Sequence, residues 1–354
     1  MRWGFLDDIR CRLDIGPTGP HSGISFYTTV LQKMQHLNDE AQMTRTTERV
    51  ARRGSGSHPV RRGRLERIDS LYGYAFIAPA VLGFIVFVAV PIVGVFAFSF
   101  QDYNSLSGRT SFAGFDNYAE LVASGTFARV LQNTALFSAF VIPANILIGL
   151  ALAVLVNQRI PGIAIFRTAY FVPVVVSLVA WSLVWEVLLQ DSGGLNGWLA
   201  MVGIDGPNWL ASTEWAMTTI IGVQVLKSVG VSMILFLAAL QDVPVELIEA
   251  SRIDGARRWQ SFRHVTAPLI APTTVMVGIL ATIGSLKAFA QVYLLTEGGP
   301  QLSTSILGYY IYEQAFRAFQ VGYASTAAVF LFAIVLALTL LQWWTRKRWV
   351  FNES

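Results

Sequence analysis

The chain has 354 residues, of which 54% are hydrophobic and only 14% charged. Soluble globular proteins carry about 25% charged residues, so this composition excludes an ordinary water-soluble domain and points to an integral membrane protein. The formal net charge of +4 is no sign of a nucleic-acid partner, because the arginines cluster beside apolar runs, where topology signals sit. The single cysteine, Cys11, excludes an intramolecular disulfide. The four histidines (His21, His36, His58 and His264) are scattered without metal-ligand spacing and read as surface or loop residues, so no metal site is expected.

Residues 1–70 are polar and irregular, with Gly-Pro pairs near the start and the arginine-rich stretch "ARRGSGSHPVRRGRLER". They lack the apolar core of a secretory signal and are expected to form a disordered cytosolic tail. Met43 opens "MTRTTERVARRGSG", which reads as an ordinary cytosolic start. Translation is therefore expected to begin there, leaving 1–42 outside the protein.

The remainder is spaced as membrane spans. A hydrocarbon core of about 30 Å requires about 20 apolar residues in helix, and six runs meet that length: roughly 74–98, 133–156, 166–189, 215–240, 269–295 and 323–344. Every backbone polar group in lipid has to bond internally, so such runs are helices. Pro79, Pro91, Pro143 and Pro173 fall inside them or near their ends and predict kinks. With the N-terminus inside, segments 52–73, 157–167, 241–268 and 345–354 carry fifteen Lys and Arg, against three (Arg109, Arg129, Arg317) in 99–132, 190–214 and 296–322. Both termini are therefore expected in the cytosol.

Between the fourth and fifth runs lies a polar elbow, residues 241–268, in "LAALQDVPVELIEASRIDGARRWQSFRHVTAPLIAP". Connections between packed helices commonly take 2–8 residues, so this one is far longer than joining requires. Asp242 is placed to cap a helix starting at Val243, with Pro244 in the first turn. That helix ends at Gly255, a residue suited to a left-handed C-terminal position. A second helix, "ARRWQSFRHV", is expected to stop before Pro268, with Trp259, Phe262 and Val265 on one face. The small residues Ala250 and Ser251 would let a partner surface approach. From these residues alone the elbow is either an amphipathic segment lying on the headgroups or a docking element for a cytosolic partner.

The segment "EASRIDGARRWQSFRHVTAPL" resembles the cytoplasmic signature loop of permease subunits in binding-protein-dependent ABC importers. That pattern is Glu-Ala-Ala, three residues, Gly, nine residues, then Ile-x-Leu-Pro. Here it reads Glu249, Ala250, Ser251, then Gly255, then Val265, Ala267 and Pro268, with Ser for Ala, Val for Ile and Ala for Leu. "LKAFAQVYLLTEGGP" (286–300) is similar to the stretch before the last span in carbohydrate-uptake permeases, including maltose-type membrane subunits, although Ala290 stands where that group commonly has Asp. "FAGFDNYAELV", "FRTAYFVPVVVS" and "STSILGYYIYEQAF" resemble the same group, and the likeness spans 70–350.

The resemblance implies an all-α integral membrane protein with the six-helix type I ABC importer permease fold in residues 71–350, embedded in the cell membrane. It implies a homologous second permease subunit, an ATPase dimer and an extracytoplasmic substrate-binding protein as partners, beside the lipid bilayer. The first elbow helix would seat in a groove of the ATPase through Glu246, Glu249, Ala250, Ser251, Asp254 and Gly255, with Gly255 setting the angle between the two elbow helices. ATP and Mg would be held by the partner ATPase, and no cofactor by this chain. The chain is accordingly expected to be a transport subunit and no enzyme. Its nearest approach to a phosphate-binding loop, "GVQVLKS" (222–228), lacks the second glycine and lies within a span.

Charges at bilayer depth are costly and default to functional hypotheses. Lys227, Lys287 and Glu186 are such residues, within the fourth, fifth and third runs. Gln224, Lys227 and Ser228 share a helix face by spacing and form the expected core of a translocation path, with Asn145, Lys287 and Gln291. Against this, a lysine can pair with a helix carbonyl or reach a helix end, and buried amides can bond one another. Trp181 and Trp185, one turn apart, fit a sugar-stacking platform or an interface belt. The segment 190–214 carries no Lys or Arg and is rich in Gly, Asn and Trp, which suits contact with a binding protein. The expected cargo is a carbohydrate or related polyol. The alternative is a glycerol-phosphate compound, which would want convergent lysine or arginine in the path. An ion-coupled secondary transporter would need intramembrane carboxylates, of which Glu186 is the one candidate.

Overall fold

The structure, a computed structural model, describes residues 62–158 and 161–349, and side chains within 72–158 and 161–344. Cys11, the expected start at Met43 and the tail up to residue 61 lie outside the described residues. Two compact units divide between Leu82 and Gly83.

The first unit's described part is helical from Arg62, so residues 62–70, expected as irregular tail, belong to helix α1 (Arg62–Phe84). A π segment (Ile85–Ala89) and α2 (Val90–Ser99) follow. Val90 N–H bonds Ile85 C=O, a wider turn that precedes Pro91 at the start of α2, where its missing donor is not needed. The chain then forms a hairpin that sequence periodicity did not signal. Strands β1 (Gln101–Asn104) and β2 (Arg109–Phe112) pair antiparallel, with Gln101 opposite Phe112. Asn104 Oδ1 accepts from the N–H groups of Leu106 (3.0 Å) and Ser107 (3.1 Å), and Gly108 at φ +66° completes the turn.

Helix α3 (Asp116–Ala123) leads into α4 (Gly125–Val156), capped by Ser124 Oγ accepting from Phe127 N–H at 3.3 Å. The third expected span is broken: α5 (Ile163–Val175) and α6 (Leu178–Leu188) meet at 102°. After α7 (Gly194–Met201) comes α8 (Ala216–Gln241). The elbow holds α9 (Val245–Ile253), α10 (Arg258–Ser261), a π segment (Phe262–Thr266) and α11 (Ala267–Leu269). The fifth expected span, 269–295, is corrected: α12 (Ala271–Leu286) ends, and α13 (Ala290–Leu295) restarts after residues 287–289. The interruption faces a crossing backbone, because a Cβ at Gly308 would lie 2.5 Å from Ala288 O. Broken helices at this depth are tolerated where protein covers them. Helix α14 (Leu307–Tyr312), a π segment (Glu313–Arg317) and α15 (Val321–Trp349) complete the fold. Among the described residues four helices are long and apolar enough to cross a membrane, and six if each of two bent pairs counts as one span.

Helix α8 is the packing centre of the second unit. A Cβ at Gly149 of α4 would lie 2.6 Å from Ser232 Cβ, and one at Gly230 would lie 2.3 Å from Tyr170 O of α5. Both glycines let backbones approach, which is how helices gain dispersion energy in a medium as apolar as their side chains. One buried cluster joins Phe137, Val141, Ile220, Val292 and Tyr309; another joins Ala153, Met233, Phe236, Val243 and Ile270. Phe140, Leu147 and Val187 stay exposed, as lipid-facing residues do.

Candidate functional site

The elbow's geometry follows from two residues. Asp242 does not cap α9, as the sequence suggested; it ends α8, its N–H bonded to Ala238 C=O. Residues before proline are pushed out of helical conformation, so Val243 turns inward, buried at 8% exposure, and α9 starts at Val245 with Pro244 in the N-cap position. At the other end Gly255 has φ +81°, as its position suggested. Gly255 N–H bonds Arg252 C=O at 3.0 Å and Ala256 N–H bonds Ser251 C=O at 2.9 Å, the paired bonds of a Schellman termination.

The second helix starts with Arg257 N–H bonded to Gln260 Oε1 at 2.8 Å. It does not stop before Pro268. The π turn at Phe262–Thr266 lets helix continue into α11, with Pro268 in its first turn, and the bend of 67° to α12 comes at Ile270. Trp259 and Phe262 stack at 5.7 Å, as their spacing implied.

Glu246, Glu249, Ala250, Asp254 and Gly255 are exposed. Ser251 differs: it is half-buried, and its Oγ lies 2.8 Å from Ser261 Oγ, tying the two elbow helices together instead of facing outward. Val245, Leu247, Ile253 and Trp259 project from the elbow without cover from this chain, Ile253 at 86% exposure. With Arg252, Arg257 and Arg258 also exposed, the elbow offers a mixed charged and apolar surface, and α9 ends in a fixed turn.

The second feature is a cavity of about 170 Å³ between α4, α8 and α12. Asn145, Gln224, Ser228, Ser232 and Ser285 supply its polar lining, and Val141, Leu235, Val277 and Leu280 its apolar walls. Asn145, 2% exposed, donates to Val141 C=O at 2.9 Å, and its Oδ1 lies 2.9 Å from Ser228 Oγ. Ser228 Oγ is equally close to Gln224 C=O, so its single proton serves one acceptor at a time. Gln224 Oε1 is buried without a hydrogen-bond partner. An amide oxygen in that condition costs about 1–3 kcal/mol. Sequence reading found Asn145, Gln224 and Ser228 but missed Ser285, a small polar residue in the last turn of α12.

Three expected path residues stand elsewhere. Lys227 does not share the cavity with Gln224 and Ser228: its Nζ donates to the carbonyls of Pro173 and Val176 at the α5–α6 break. Lys287 is exposed at the C-cap of α12 and not within a continuous span, a position where a cation suits the helix dipole. Gln291 is 4% exposed on α13, outside the cavity. Trp181 and Trp185 meet edge to face at 5.7 Å and pack against a buried cluster. Glu186 is half-buried on α6. In segment 190–214, Trp209 Nε1 donates to Asn196 Oδ1 at 2.6 Å and Asn208 Nδ2 to Asp191 Oδ2 at 3.3 Å. Asn196, Asn208 and Trp209 thus build the loop itself, while Trp198 stays exposed.

Residues 145–350, which hold the elbow and most of the cavity wall, match the family described as binding-protein-dependent transport system inner membrane component. The chain belongs to that family. The permease is 32% identical over 306 residues to the probable ABC transporter permease protein YesP of Bacillus subtilis, covering 85% of this chain and 98% of that one. It is 34% identical over 292 residues to the lactose transport system permease protein LacF of Rhizobium radiobacter, covering 81% and 97%. Among solved structures it resembles a chain of a bacterial alginate ABC transporter in complex with an alginate pentasaccharide-bound periplasmic protein, with TM-score 0.68, 25% identity, and coverage of 79% and 96%. The permease is thus a multi-pass membrane protein, and the elbow lies within the matched region.

Proposed function

We propose that this permease forms half of the translocation path of an ATP-driven importer for a carbohydrate, paired with a second, homologous permease. The observation that carries the cargo is the character of the cavity. It is walled by amides, hydroxyls and aliphatic side chains, with no charged residue among its lining residues. A neutral polyol offers many hydroxyl donors and apolar ring faces, and suits such walls. The relatives named for lactose and alginate transport support the same reading. A glycerol-phosphate cargo is disfavoured, because both lysines that would meet a phosphate lie outside the cavity.

ATP hydrolysis belongs to a partner ATPase dimer, which holds ATP and Mg and receives the exposed face of α9. Glu246, Glu249, Ala250 and Asp254 are the proposed contacts, and Gly255 fixes how α9 is presented. An extracytoplasmic binding protein delivers the cargo; both termini and the elbow lie in the cytosol, as the excess of Lys and Arg on that side supports. The test is mild-detergent purification of the tagged chain from its own membrane, with mass spectrometry of its companions and their bound solute. Recovery of an ATPase, a second permease and a carbohydrate-loaded binding protein is expected. Recovery of the chain alone, with full transport activity after reconstitution, would overturn the proposal.

A further inference from the structure

The third span breaks where its own backbone cannot supply the missing hydrogen bonds. Helix α5 ends at Val175, and Val176 is extended at φ −60°, ψ 138°. The last carbonyls of a helix have no intrahelical donor, and in hydrocarbon they have to be met from within the protein. One side chain from another helix meets two of them. Lys227 Nζ of α8 donates to Pro173 C=O and Val176 C=O. A half-buried lysine at this depth and a helix end stripped of donors are each unfavourable alone. Together they neutralise one another, because the carbonyl end of a helix carries partial negative charge.

The second arm is fastened to the same turn. The Lys227 ammonium lies 5.9 Å from the ring centre of Trp181, in the first turn of α6, an attractive cation–ring geometry. Trp181 Nε1 donates to Val223 C=O at 3.2 Å, one turn before Lys227 on α8. Ser177 Oγ accepts from Ala180 N–H at 3.2 Å and so starts α6 afresh beyond the break. The α5 arm is also held by backbone contact, with Tyr170 O against Gly230. Gln224 and Ser228, which bracket Lys227 in sequence, line the cavity on another face of the same helix turn.

We infer that Lys227 is a positioning residue of the transport cycle: the latch of a hinge at Val176–Ser177 that ties the angle between α5 and α6 to the cavity face of α8. Coupling of this kind requires an element with two arrangements that both sites bias. The bent span supplies that element, and a charged donor shared between two carbonyls can be released and remade without leaving lipid.

The test uses the complex as purified from its membrane, in nanodiscs, with spin labels at Ile165 and Val187. Both are exposed, at 73% and 62%, one on each arm. The inference takes from the proposal above only that an ATPase drives the cycle; label distances without nucleotide test the latch independently of it. In the resting wild type a single narrow distance is expected, with a second population on adding a non-hydrolysable ATP analogue. Lys227→Met is expected to broaden the resting distance and abolish its response to nucleotide. Uptake should fall at least tenfold while ATP hydrolysis persists. Lys227→Arg, which keeps charge and donors, should restore both. If Lys227→Met fails to assemble, Lys227→Gln, with a neutral donor, is read in the same way and expected between the two. Unchanged distances in these variants, or a wild-type distance that nucleotide does not move, would overturn the inference.

Discussion

The elbow and the broken third span face the same difficulty, a helix that has to end with its carbonyls unpaired, and they answer it differently. At Gly255 the chain answers locally: a left-handed glycine folds two N–H groups back onto the carbonyls of Ser251 and Arg252. At Val176 no such fold is made, and the donors come from Lys227, 51 residues away. The local solution leaves α9 self-contained, with its acidic and apolar side chains free for another surface. The remote solution makes the bend conditional on where α8 stands. On the reading proposed above, α9 is the lever end and the bent third span the hinge of an ATP-driven cycle.

The comparison breaks most severely at Gly255. Proline there fixes φ near −65° against the observed +81°, a mismatch worth on the order of 3 kcal/mol or more, so uptake by whole cells should fall to background while membrane insertion is retained. Gly255→Asn, which tolerates left-handed conformation, should keep measurable uptake. Should Gly255→Pro cells import at the normal rate, the local cap has no part in coupling.

Next in size is Gly230→Val. Its Cβ would sit 2.3 Å from Tyr170 O, and such overpacking costs roughly 1–3 kcal/mol. The detergent melting temperature should drop, with the α5 arm displaced from α8; an unaltered melting curve would show that the close contact is dispensable.

A smaller and more selective effect is expected at Gln224→Leu. The residue's unpaired oxygen contributes nothing to the resting fold, so melting should hold or rise slightly. Loss of one hydrogen bond of about 1 kcal/mol should raise the uptake KM about fivefold. A fall in stability with KM unchanged would assign Gln224 to packing. Smallest is Ser251→Ala, which removes the bond to Ser261 across the elbow. About 0.5–1.5 kcal/mol is at stake, visible as faster amide exchange in α9 with uptake nearly intact.

How much of this was legible in the sequence follows the same division. Gly255, the presence of apolar runs and the exposed acidic residues of the elbow were readable, because local spacing and hydropathy determine them. The capping role given to Asp242 failed, because Pro244 forces Val243 out of helix before a cap can form. Gln224 and Ser228 were found by helical spacing, which also grouped Lys227 with them, whereas its ammonium turns to the carbonyls of Pro173 and Val176. Three residues on one turn subtend a wide arc, and packing against α5 decides which edge faces which neighbour. The breaks at 176–177 and 287–289 were illegible for a related reason. Pro173 signalled a kink, but a right-angle bend needs a donor that only tertiary structure supplies, and Gly308 crosses near Ala288 from another part of the chain.

The elbow is proposed to transmit ATP hydrolysis to an uncharged path for a carbohydrate. Its most direct test is uptake of labelled carbohydrate into proteoliposomes holding the full complex, with ATP on the elbow side, binding protein opposite, and Glu249→Ala compared with wild type. The account requires ATP-dependent uptake by the wild type, and at least a tenfold loss with Glu249→Ala in a complex that still assembles. Equal uptake by both, or uptake that continues without ATP, would contradict it.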